Sequence, residues 1–153
     1  LSMIAKNCDG VIPTPGAFTD DDNALRSSAH AVLDDVRSQF DQQAFHRGLE
    51  TLWKVVGDAN RYVDVQAPWA LRKTDPDRMA TVLYVMAETI RHLAILVQPI
   101  MPGSAANMLD QLAVDPEARD FAHLGSDHAL ASGTELPKPS PVFPRYVDEE
   151  AAD

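Results

Sequence analysis

Cysteine is nearly missing from this chain of 153 residues: Cys8 stands alone. A single thiol cannot pair within the chain, so no disulfide framework holds the fold, and the usage suits a reducing compartment. Basic residues are also scarce, 13 against 23 acids, for a formal net charge of −10 and a pI of about 4.7. Phosphate-binding surfaces are normally basic, so the total by itself argues against a nucleic-acid partner. No apolar run reaches the roughly 20 residues a bilayer demands. The longest mostly apolar stretch, residues 93–101, is broken by Gln98 and Pro99. The N-terminus, LSMIAKNCDG, shows no charged-then-apolar leader pattern. Its 7 glycines form neither GxGxxG nor a P-loop, and GxSxG and HExxH are absent. The histidines are scattered. Only His123 and His128, with Asp127 between them, approach a metal cluster, and they fall short of the closed four-ligand set of a zinc site. These absences describe a cytoplasmic, soluble chain without catalytic residues, metal or membrane partner.

What is present is an ordinary globular composition, 45% hydrophobic, of a length that suits one helical core. Residues 1–7 read as the last turns of a helix whose start is missing, stopped by Asp9-Gly10, and residues 11–18, rich in proline, are a loop. A second helix starts near Thr19-Asp20 and carries Leu25, Ala29, Val32, Leu33, Val36 and Phe40 at helical spacing. The acids Asp20, Asp21 and Asp22 cap and solubilise its first turn; a cation site is the alternative. Asp41 is placed to cap a third helix with the stripe Phe45, Leu49, Leu52, Trp53, Val56, Ala59 and Val63, which puts Trp53 in the core. That helix must stop before Pro68, and residues 69–74 read as a connector. Asp75-Pro76 opens a fourth helix bearing Met79, Val82, Leu83, Met86, Ile90, Leu93, Ala94 and Val97. Ser104 is positioned to cap a short fifth helix. The expected fold is all-α, an up-and-down bundle of about five helices over residues 1–115. Residues 116–153 form an extension that packs on the bundle or on a catalytic domain outside the chain. It includes a proline-rich strap, and its last residues, 148–153, fray.

One segment has the composition of a binding site. From Arg47 to Arg91 there are seven basic residues and six acidic ones, so the negative excess lies in the flanks. Within that near-neutral centre, DANRYVDVQAPWALRK brings together Asn60, Arg61, Pro68, Trp69, Arg72 and Lys73. Single-stranded RNA is read by aromatic faces that stack on splayed bases and by amide and guanidinium groups that bond base edges. Composition alone equally suits a Trp69 that caps the core, with Arg72 and Lys73 solvating the next turn.

The string ANRYVDVQAPWALRK, the later LVQPIMPGSA, the early KNCDG and the closing ELPKPSPVFPRYV occur in the order found in one family. Over nearly its whole length the chain resembles the anticodon-binding domain of bacterial methionyl-tRNA synthetases, which belong to class I. The resemblance implies that Trp69 stacks on an anticodon base with Pro68 before it, that Asn60 and Arg61 lie on a neighbouring helix face, and that Arg72 and Lys73 screen phosphates. An Asn and an Arg that the family uses on its first helix would fall just before Leu1. It also implies a tRNA(Met) anticodon loop and a catalytic domain of the same enzyme as partners. No cofactor is expected in this chain, because ATP with Mg would bind that catalytic domain. The alternatives are the same bundle from a cysteinyl, isoleucyl, valyl or leucyl enzyme, or a helical protein–protein interaction module.

Overall fold

The computed structural model describes residues 1–144. Six α-helices follow in order: α1 (Ser2–Asn7), α2 (Asp20–Asp41), α3 (Phe45–Gln66), α4 (Pro68–Thr74), α5 (Pro76–Val97) and α6 (Pro102–Gln111). Short 3-10 turns then occupy much of residues 116–128. Among the described residues there is no strand, only an isolated antiparallel bridge from Val11 to Glu135. The all-α bundle expected from periodicity is therefore present. The tail expected to fray, residues 148–153, lies outside the described residues.

The helix starts follow local chemistry. Thr19 and Asp22 form a reciprocal capping box at the head of α2, which satisfies two of the donors every helix start leaves orphaned. Asp75 accepts from the Arg78 N–H at 2.9 Å, and Pro76 fills the first helical position of α5, where its missing N–H costs nothing. Asp9 and Gly10 stop α1 with φ of 51° and 72°. Three starts differ from expectation. Asp41 closes α2 instead of capping α3, which begins at Phe45 without a side-chain cap. Ser104 lies inside the first turn of α6, because Pro102 already takes the first helical position. Residues 69–74, read as a connector, are helical.

α5 is the centre of the bundle. It packs on α2, α3, α4, α6 and the 3-10 turn at residues 121–124. Enclosure on so many sides explains why α5 alone among the described helices is long and apolar enough to cross a membrane, since a helix buried all round carries few polar residues. Of its expected stripe, Met79, Val82, Leu83, Ala94 and Val97 are buried. Met86, Ile90 and Leu93 are half-buried.

The inward face of α3 is rotated from the expected stripe: Leu52 and Ala59 are buried as expected, joined by Gly48, Val55 and Tyr62, while Leu49 and Val56 are half-buried and Trp53 is 58% exposed. The helix carries two adjacent apolar stripes, and its tight seam with α2 selects the one containing a glycine. A Cβ at position 48 would run into the Phe40 ring, so glycine leaves the space that this ring fills between α2 and α3.

The extension after α6 is fastened to α5 by side chains. Arg91 donates to the carbonyl of His123 at 2.6 Å and Gln98 to that of Arg119. Tyr84 donates to the carbonyl of Leu130 at 3.1 Å, and the Leu130 N–H donates to Glu88 at 3.1 Å. A ring nitrogen of His92 sits 2.7 Å from the Leu124 carbonyl. The 3-10 turns leave these backbone groups without regular partners, and buried ones must find others. Glu88 and Arg91, buried at 3% and 1% exposure, also pair with each other through several short contacts, which offsets their desolvation.

Candidate nucleic-acid interface

The chain reverses between α3 and α4 at a single residue. Ala67 takes the left-handed conformation, φ 43° and ψ 59°. Its N–H closes α3 on Val63, and its carbonyl accepts from Ala70 and Leu71 to open α4. The residue before a proline avoids the right-handed helical region, so Pro68 forces this break. Pro68 then occupies the first position of α4 and is buried. Trp69 follows immediately and is 55% exposed. A buried proline followed at once by an exposed indole stiffens the backbone that carries the ring, as base stacking needs.

The other expected site residues gather at the same end of the bundle. Asn60 and Arg61 are exposed on the last turns of α3, and Arg72 and Lys73 are exposed on the last turn of α4, where cations complement the helix dipole. Arg61 is not free: it donates to Asp58 at 2.6 Å. A groove between α2 and α3 lies beside it, lined by Asp21, Ser28, Asp58, Tyr62 and Gln66 among others.

Behind this corner lies a network that the sequence reading missed. Asp22 is fully buried and receives Arg78 through both carboxylate oxygens, at 2.6 and 2.8 Å. The Tyr62 hydroxyl donates to the same carboxylate. Arg78 also donates to Gln66 at 2.7 Å, and Gln66 donates to Asp21 at 3.0 Å. The start of α2, the end of α3 and the start of α5 are thereby tied together, with Ala67 and Pro68 between two of them. Burial pushes the Asp22 carboxyl up, but the hydrogen bonds from Arg78, Tyr62 and the Thr19 backbone outweigh it and hold the pKa at about 2. Burial and the neighbouring Asp22 raise Tyr62, and Asp22 raises Arg78. Asp22, expected to cap and solubilise a helix start, does cap it, but its carboxylate is buried and also anchors the corner. Its position three residues after Thr19 was the available clue.

Among the described residues no group of three or more His, Cys, Asp or Glu could hold a metal ion. His123 and His128 stack edge to face, with ring centroids 4.5 Å apart, and His123 bonds Asp120 rather than Asp127.

A family model described as the anticodon binding domain of methionyl tRNA ligase matches residues 12–153. The chain belongs to this family. Methionine–tRNA ligase of Rhizobium meliloti (strain 1021) is 53% identical over 151 residues, covering 99% of this chain and 29% of that protein. The corresponding ligase of Mycobacterium tuberculosis (strain ATCC 25618 / H37Rv) is 49% identical over 150 residues, covering 95% and 28%. The fold agrees equally well. The crystal structure of the free-state Mycobacterium tuberculosis methionyl-tRNA synthetase superposes with a TM-score of 0.91 at 48% identity, over 96% of this chain and 30% of that one. The same enzyme in complex with methionyl-adenylate gives 0.90 at 49%, over 94% and 29%. The chain thus spans under a third of the length of the relatives it matches. The methionyl branch, and not a cysteinyl, isoleucyl, valyl or leucyl relative, is the one these matches support.

Proposed function

We propose that this chain is the tRNA-reading part of a cytoplasmic methionine–tRNA ligase, that its partner is the anticodon loop of tRNA(Met), and that the parent enzyme joins methionine to that tRNA using ATP. The observation that carries this is Trp69, half out of the protein on a corner immobilised from behind, in a family defined by anticodon binding. In this reading the indole stacks on one anticodon base and Pro68 fixes its height. Asn60 and Arg61 bond base edges or the adjoining backbone, while Arg72 and Lys73 face phosphates. Discrimination arises because a wrong base leaves buried polar groups unpaired.

Residues 1–115 act as the reading bundle and 116–153 as its extension. In this reading ATP and its magnesium are held by the catalytic portion, and this chain by itself should show no ATP–pyrophosphate exchange.

The test is Trp69→Ala in the full-length ligase, with tRNA(Met) affinity at fixed salt and the unfolding midpoint measured on the same preparation. Affinity should fall by about 1–3 kcal/mol, the usual worth of one base stack, while the midpoint barely moves. A collapsed midpoint with unchanged affinity per folded molecule would make Trp69 a structural residue and sink the reading. Arg72→Ala and Lys73→Ala should each flatten the salt dependence of binding by about one phosphate contact.

A further inference from the structure

The helix that carries Trp69 is too short to hold its own shape. α4 has 7 residues, and isolated helices below about 12–15 residues are marginal in water. Trp69 sits in its first turn and is 55% exposed, so the direction of the ring is set by the backbone on either side. Both flanks of α4 are bonded to one residue. After it, Asp75 accepts from the Arg78 N–H at 2.9 Å. Before it, the side-chain oxygen of Gln66 accepts from the Arg78 guanidinium at 2.7 Å. Arg78 thereby closes residues 66–78 into a ring with α4 inside it. Between Gln66 and α4 stands Ala67 at φ 43°, a conformation that residues other than glycine rarely adopt. It persists only where the surroundings over-determine it.

Gln66 meets two demands at once. Its oxygen takes a proton from Arg78, and its nitrogen gives one to Asp21 at 3.0 Å, at the start of α2. An amide offers both an acceptor and a donor, whereas a carboxylate there would face Asp21 with like charge. We propose that Gln66 is a positioning residue of the RNA interface: it pins the last residue of α3 to the starts of α2 and α5, and so fixes the direction in which α4 presents the Trp69 ring. The proposal rests on the RNA-reading role of Trp69 given above. A ring held in its stacking direction before RNA arrives need not be ordered on binding, which raises affinity. The role is separable from folding. Gln66 is only half-buried, and without it the buried Asp22 carboxylate keeps both bonds from Arg78 and the one from Tyr62, so no buried charge loses its partner.

Two variants of equal net charge test this in the full-length ligase. Gln66→Met keeps the bulk and removes both bonds. Gln66→Glu combined with Asp21→Asn restores them with donor and acceptor exchanged, since the new carboxylate accepts from Arg78 and from the new amide at position 21. The measurements are tRNA(Met) affinity at fixed salt, the unfolding midpoint, and fluorine NMR of enzyme labelled with fluorotryptophan, in which the Trp69 line is identified by its loss in Trp69→Phe. Gln66→Met should weaken binding several-fold, less than Trp69→Ala, which loses the whole stack. It should shift the Trp69 line in the absence of tRNA and leave the midpoint nearly in place. The double variant should return both affinity and line to those of the parent. An unmoved Trp69 line in Gln66→Met, a double variant no better than Gln66→Met, or a midpoint drop large enough to account for the lost binding each overturns the proposal. Trp69→Ala measured alongside separates the two readings. Unchanged affinity in that variant refutes RNA reading at Trp69 and the proposal with it. Weakened affinity there but not in Gln66→Met refutes the positioning role alone.

Discussion

Arg78→Met removes the guanidinium that completes the Asp22 network while keeping much of the side chain's bulk. In the native protein Arg78 meets both oxygens of Asp22, at 2.6 and 2.8 Å, and Gln66 at 2.7 Å. The Asp22 side chain is 0% exposed and that of Arg78 18%. The variant leaves a buried carboxylate held only by Tyr62 and the Thr19 N–H. Breaking a buried pair in this way costs about 3–5 kcal/mol. The partial exposure of Arg78 admits water, which places the expected loss at pH 7 near the lower end, about 3 kcal/mol. The dependence on pH gives the sharper test. The Asp22 pKa is about 2 in the folded protein against an ordinary 3.8. A depressed carboxyl contributes stability that is complete above the unfolded value and is lost as pH falls through the folded one. The depression corresponds to about 2.5 kcal/mol. Without Arg78 the carboxyl loses two of the influences that lower it and rises, so acid neutralises Asp22 in the variant before it does so in the parent. The difference between the two proteins should therefore narrow as pH falls toward 3. Urea unfolding followed by far-ultraviolet circular dichroism at pH 7, 5 and 3 measures this directly. A difference below about 1 kcal/mol at pH 7, or one that does not narrow in acid, would refute the argument that Arg78 holds a buried charge.

Leu52→Ala should cost about 2–5 kcal/mol, because the side chain is fully buried. Trp53→Ala in this chain should stay within about 0.5 kcal/mol of the parent by the same denaturant titration, despite being the larger truncation. Gly48→Ala should destabilise by about 1–3 kcal/mol through overpacking against Phe40, even though alanine is favoured over glycine in a helix by about 1 kcal/mol. A thermal midpoint that rises in this variant would show that Phe40 can step aside.

The sequence by itself determined most of the helices. Thr19, Asp75 with Pro76, Pro68 and Asp9-Gly10 act through their own backbone chemistry and need no distant partner to start or stop an element. It also singled out one corner: Trp69 beside Pro68, with Asn60, Arg61, Arg72 and Lys73, is composed like an RNA-reading surface, and in the structure all but Pro68 are exposed. The tertiary structure alone decided how α3 is oriented. Two apolar stripes a fraction of a turn apart satisfy helical periodicity equally, and the choice fell to the one whose Gly48 makes room for Phe40 of α2, leaving Trp53 outside. It alone decided the fate of Asp22, whose carboxylate looks solvated until Arg78 and Tyr62, 56 and 40 residues away, arrive to cover it. It also decided that 116–130 is bound to α5 through Tyr84, Glu88, Arg91 and His92, polar residues that periodicity assigns to no face. Local conformational preferences are read one residue at a time, whereas a face or a buried charge is settled only by what packs against it.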